Sequence, residues 1–211
     1  AGRWGVGALV VGGVVGAVLL MNRPRGLSQN EQRIINQGRT AAQAAGCTGI
    51  TTVDAYRGGA DRNHVAPENA PALSTYPSTP PASGPHLGGA QPAGVYSESP
   101  DIYAVIHSLE HGAAVIWYDP RAERSPQIQR IKDFFGEPAN SDHVLVAPYT
   151  YPNQGNAGRL PEGKQMVLTA WHHEQSCDRP SLEVARAFVL QYAANGRGPY
   201  RGDAPEAGAA I

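Results

Sequence analysis

The side chains in this 211-residue chain best suited to chemistry are its histidines, of which there are seven. His64 stands in Asn63-His64-Val65, His86 closes Pro80-Pro81-Ala82-Ser83-Gly84-Pro85-His86, and His107 and His111 bracket His107-Ser108-Leu109-Glu110-His111-Gly112. His172 and His173 form an adjacent pair. A neutral imidazole offers a ring-nitrogen lone pair at physiological pH, which makes it the commonest transition-metal ligand. The chemistry to expect from this set is therefore a shared metal site. The spacing of His107 and His111 constrains it. In a helix, side chains at i and i+4 lie one turn apart on one face and can grip one ion, whereas along a straight strand they would sit ~13 Å apart. Joint ligation needs a helix, turn or bulge, and the apolar flanks of this block favour strand, with Gly112 and the polar break at residues 108–110 marking a turn or bulge. The alternative is a structural network in which both histidines bond buried backbone and Glu110 partners one of them.

Other residues carry weaker signals. Glu110 between two histidines could act as a general base in hydrolysis, but His-x-x-Glu-His is only a loose relative of the zinc-hydrolase helix motifs. Met166 is a soft donor suited to copper, yet it opens an apolar strand where methionine usually packs. His172 and His173 start the loop after a strand, where only one of the two can face inward. His143 starts a strand and carries no further signal. No Gly-rich phosphate loop or nucleophile elbow is present.

The elements that must position these residues are legible in part. Glycine (25) and proline (18) are abundant and concentrate between periodic segments, so much of the chain is expected as ordered loop. Ser28-Gln29-Asn30-Glu31 is a capping-box pattern that opens one exposed helix running to Ala45 and Gly46. Residues 51–100 lose all periodicity. Beyond them, residues 104–106 and 113–118 read as strands, 125–135 as a helix with Pro126 in its first turn, 143–147 and 165–171 as strands, and the segment from Ser181 as a helix with Leu182, Ala185, Val189 and Tyr192 at helical spacing. The expectation is an α+β domain, a small mixed sheet with flanking helices and long ordered loops around a β-α-β-β-α core. By order alone this parallels the second half of a thioredoxin-like domain, although no Cys-x-x-Cys accompanies it.

Residues 4–21 hold no charged or strongly polar side chain, and a helix of that length roughly crosses a ~30 Å hydrocarbon core. We expect a single membrane anchor, with Ala8, Gly12 and Gly16 as a small-residue face for packing against partner helices. Arg3 lies before it and Arg23 and Arg25 after it, which taken alone gives the opposite orientation to the one the cysteines suggest. Those two, Cys47 and Cys177, are 130 positions apart next to helix-sized segments, which suits a disulfide formed outside the cytoplasm. The expected organisation is an anchor at 1–25, a juxtamembrane helix at 26–46, an extracytoplasmic domain at 47–195, and a Gly/Pro-rich arm at 196–211, extended or disordered because nothing in it builds a core. A net charge of -1 with scattered basic residues excludes nucleic acid as a partner.

The blocks Pro80 to His86, Gly94-Val95-Tyr96, His107 to Gly112, Ala147-Pro148-Tyr149 and Thr169-Ala170-Trp171, taken together, resemble the bacterial domain-of-unknown-function family 3105 over roughly residues 47–192. The resemblance implies a single membrane anchor before an extracytoplasmic domain. His64, His86, His107, Glu110 and His111 match its recurring polar positions, whereas His172 and His173 depart from it. A convergent histidine site outside the cytoplasm suits copper or zinc better than oxygen-seeking magnesium or calcium. Three functions are open: a membrane-anchored accessory protein with a copper or zinc site, associated with other membrane-protein subunits; a metal-free structural subunit of such a complex; and a hydrolase using Glu110.

Overall fold

A computed structural model describes residues 26–194 and 201–211. The expected anchor at residues 4–21, with Ala8, Gly12 and Gly16, lies outside the described residues. Among those described, no helix is long and apolar enough to cross a membrane.

The fold is α+β. Helix α1 (Gln29–Ala44) is followed by edge strands β1 (Thr51–Thr52) and β2 (Gly94–Val95), helix α2 (Ile102–Glu110), strand β3 (Ala114–Tyr118), helix α3 (Pro126–Gly136), strands β4 (Val144–Pro148), β5 (Met166–Ala170) and β6 (His173–Cys177), and helix α4 (Leu182–Tyr192). One mixed sheet runs β1-β6-β5-β3-β4-β2, with β3 parallel to β4 and antiparallel to β5.

Alternation along the central strands divides two cores. Ala114, Ile116 and Tyr118 of β3, Val144 and Val146 of β4, and Met166 and Leu168 of β5 face a layer containing Ile128, Ile131 and Phe135 of α3 and Phe188 of α4. Val115 and Trp117, Leu145 and Ala147, and Val167 face the opposite side, against Val105, Ile106 and Leu109 of α2 and the loop residues Tyr56, Leu73 and Tyr76. Burial on both faces explains why these strands read as continuous apolar runs.

Three expectations are corrected. Residues 104–106 lie in α2, not a strand. Seven of the nine α2 residues are buried, three of them polar (His107, Ser108 and Glu110), so the helix has no solvent-facing polar stripe to set it apart from a strand. Its three β-branched residues, Ile102, Val105 and Ile106, together cost at most ~2 kcal/mol in helix propensity, which a side-chain cap of ~0.5–2 kcal/mol offsets in part and the burial of three apolar side chains exceeds. Asp101 supplies that cap, accepting from the N–H groups of Tyr103 and Ala104. The helix ends in a Schellman arrangement: Ala113 N–H donates to Ser108 O, Gly112 N–H donates to Leu109 O, and Gly112 takes the left-handed φ of +90° that the motif requires.

Second, α1 does not stand exposed. Ile35 and Gly38 are buried, and a Cβ on Gly38 would come 2.2 Å from the Cβ of Ala187, so α1 packs tightly on α4. Third, the segment after β5 is no loop. The chain turns at His172 (φ +56°) into β6, making the core β-α-β-β-β-α. The expected disulfide between Cys47 and Cys177 is present and ties the end of α1 to β6.

The 51–100 segment is pinned by the hydroxyls of buried Tyr76 and half-buried Tyr103. Tyr76 Oη donates to Pro85 O (2.5 Å) and Tyr103 Oη to Pro71 O (2.6 Å), satisfying carbonyls that no sheet partner reaches.

Candidate metal centre

Helix α2 and two loop segments bring the ligand atoms together. His107, Glu110 and His111 lie within the last turn of α2 and its cap, so the i, i+3 and i+4 spacing sets them on one face. Residues 63–65 and His86 are clamped backbone to backbone: His86 N–H donates to Asn63 O and Val65 N–H to His86 O. Gly84 has φ +128°, and a Cβ there would meet the Tyr76 ring at 2.6 Å. Only glycine lets this turn pass under Tyr76 and aim its carbonyl at the His86 ring.

One nitrogen each of His64, His86 and His107 and one oxygen of Glu110 all lie within 4.8 Å of one another. His86 and Glu110 are fully buried, His107 nearly so, and the side chain of His64 is 53% exposed. His86 Nε2 is 3.0 Å from Glu110 Oε2, and His107 Nε2 is 3.0 Å from His111 Nε2. The Arg62 guanidinium donates through Nε to Glu110 Oε1 at 2.7 Å, which leaves Oε2 to the histidines.

The tautomers follow from the partners. His86 Nδ1 is 2.8 Å from Gly84 O, His107 Nδ1 is 2.7 Å from Leu87 O, and His111 Nδ1 is 3.0 Å from Ala210 O. A carbonyl oxygen only accepts, so each Nδ1 carries the hydrogen and each neutral ring presents a bare Nε2 lone pair. Two short contacts then join acceptors to acceptors: His86 Nε2 with a carboxylate oxygen, and His107 Nε2 with His111 Nε2. Burial lowers the pKa of both His86 and His107, opposing the protons that could sit in these gaps. For a tetrahedral ion with bonds of ~2.0–2.1 Å, donors stand roughly 3.3–3.4 Å apart, within a few tenths of an ångström of both contacts. Histidine with Nδ1–H bonded to backbone carbonyl is also the usual outer-layer pattern of metal ligands.

The remaining sequence candidates lie elsewhere. Met166 is fully buried in the α3/α4 core, across the sheet from the histidines, and is not brought to them. His172 Nδ1 is 3.1 Å from Val53 O and its Nε2 is 3.7 Å from Asp61. Ser83 donates to Asp61 at 2.7 Å rather than to His172, so these three form a loop-holding cluster without a nucleophile–base pair. His173 packs on Tyr192 and faces Asp203 at 3.7 Å. Neither member of the pair joins the ligand group.

The tail supplies what sequence reading missed. Residues 201–211 return across the end of α2: Glu206 N–H donates to Glu110 O and Gly208 N–H to His111 O. Glu206 and Arg62 had no local signal, because an acid in a Gly/Ala/Pro segment and an arginine in a loop are ordinary surface residues until the fold sets them side by side.

A family model described as "Protein of unknown function (DUF3105)" matches residues 69–207. That span contains His86, His107, Glu110, His111 and Glu206, and excludes His64 and Cys47. No curated protein and no solved structure matches the chain.

Proposed function

Starting from the fact that the chain belongs to the DUF3105 family, we propose that it is a membrane-tethered, extracytoplasmic accessory protein that holds one zinc or copper ion through His86, His107 and Glu110, with His64 as the exposed fourth donor. The observation that carries this reading is the bare Nε2 lone pair of His86 meeting the Glu110 carboxylate at 3.0 Å, with a nitrogen each of His64 and His107 inside the same 4.8 Å group. A divalent ion there does the work of the proton that this contact otherwise needs, without charging a buried imidazole. The donor set of imidazole nitrogen and carboxylate oxygen suits zinc or copper(II), and with Met166 in the core no soft sulfur donor among the described residues favours copper(I).

The location rests on other observations. The Cys47–Cys177 disulfide supports an oxidising compartment. The apolar run at residues 4–21 supports a tether, and its small-residue face supports association with other membrane-protein subunits. The sheet order, in which a parallel pair is extended by an antiparallel hairpin and closed by α4, supports a thioredoxin-like arrangement lacking thioredoxin's dithiol. Hydrolysis by Glu110 gains no support, because both its oxygens are already engaged by Arg62 and His86.

The test is elemental analysis of the full chain, purified in detergent without chelator or metal-affinity tag. We expect about one zinc or copper per chain, lost in His107→Ala with the circular dichroism spectrum retained. A folded wild type that is metal-free and takes up neither ion when offered them would leave the metal-free structural subunit as the better reading.

A further inference from the structure

The C-terminal segment brings a second set of donors to the centre. One nitrogen each of His107 and His111 and one oxygen of Glu206 lie within 4.8 Å of one another, sharing His107 with the first set. Arg62 relates the two sets. It donates through Nε to Glu110 Oε1 (2.7 Å) and through Nη2 to Glu206 Oε1 (3.1 Å). In each carboxylate the other oxygen turns to a histidine: Glu110 Oε2 is 3.0 Å from His86 Nε2, and Glu206 Oε2 is 3.4 Å from His111 Nε2. The tail holds Glu206 in place through Glu206 N–H to Glu110 O, Gly208 N–H to His111 O, and His111 Nδ1–H to Ala210 O.

Burial differs between the sets at every donor but one. The His86 and Glu110 side chains are 0% and 1% exposed and His107 is buried, His64 is the exception at 53%, and the His111 and Glu206 side chains are 14% and 43% exposed. His107 belongs to both, but its Nδ1–H is given to Leu87 O, so its single Nε2 lone pair serves one ion position at a time.

We propose, building on the metal reading above, that the centre offers one divalent transition ion two adjoining positions: an inner one at His64, His86, His107 and Glu110, and an outer one at His107, His111 and Glu206. The C-terminal segment carries the outer carboxylate, and the ion enters and leaves through the outer position by ligand exchange at His107. No oxidation state changes, and each bond to the ion that breaks is replaced by another.

The experiment follows cobalt(II) uptake by the metal-free full chain in stopped flow, and its release to excess chelator, by visible absorption. Glu206→Gln keeps the shape of the side chain, removes its charge and leaves the backbone bonds that hold the tail. We expect it to slow uptake and release together by about tenfold, leaving the equilibrium affinity within about twofold, and His111→Ala to act in the same direction. Unchanged rates in Glu206→Gln would make Glu206 only the surface ion-pair partner of Arg62. Faster release with weaker binding would make it an ordinary ligand of a single site. Either result overturns the two-position proposal and leaves the metal reading standing. A wild type that takes up no cobalt, zinc or copper overturns both.

Discussion

His107 Nε2 and His111 Nε2 face each other at 3.0 Å, one helical turn apart, and each ring has already given its Nδ1–H to a backbone carbonyl, of Leu87 and of Ala210. Two lone pairs at that distance repel unless a proton or a metal ion lies between them. The buried surroundings of His107 weigh against the proton. The arrangement is a pre-oriented one, because the backbone carbonyls that fix the tautomers lie outside the ligand set.

Binding to the folded state alone makes stability depend on metal. With free zinc at about 100 times Kd the folded state gains about 2.7 kcal/mol, which for a domain of this size is a rise in Tm of roughly 5–10 °C. Glu110→Gln retains the side-chain volume and removes the buried negative donor, so the zinc-dependent rise should fall to less than half. Differential scanning calorimetry of both proteins, with and without zinc, checks this. An equal rise in the variant would show that the ion binds elsewhere.

Protons compete with the ion for the same lone pairs. Burial lowers the pKa of His86 and His107 below the ordinary imidazole value of ~6.5. At pH above that value the donors are already neutral, and zinc affinity should be nearly flat. As pH falls through the lowered pKa values the donors take up protons, and affinity should drop with a slope that approaches one proton per histidine ligand. Competition titrations between pH 5 and 8 read this directly. Affinity that rises on acidification would mean that the contacts are held by protons instead.

The Cys47–Cys177 bridge closes a loop that spans the sheet, both cores and the histidine centre. A long loop makes the cross-link valuable chiefly through the unfolded chain, by about 2–5 kcal/mol. The Cys47→Ser/Cys177→Ser double variant should lose that much in urea unfolding while keeping its metal, because neither cysteine touches the centre. Loss of metal at full folding would contradict the separation drawn between scaffold and site.

The sequence by itself determined the elements whose signals are local. The capping box at Ser28 and Glu31, Pro126 at the start of α3, the serine cap of α4 and the apolar runs of β3, β4 and β5 were legible because each depends on near neighbours. The family and the disulfide were legible too, from combined motifs and from two cysteines flanked by helix-sized segments. Tertiary structure alone decided the state of residues 102–110. A helix buried nearly all round, its polar residues included, lacks a solvent-facing stripe, and Asp101 and Gly112 at its ends are what set it apart from a buried strand. The same holds for the centre. Histidine identity and spacing name candidates, but the backbone carbonyls of Gly84, Leu87 and Ala210 fix which nitrogen of each ring is bare, and the fold brings those carbonyls from a turn, a loop and the tail. Glu206 and Arg62 came into view only there, since a contact between residues 144 positions apart is set by the return path of the chain and leaves no trace in local pattern.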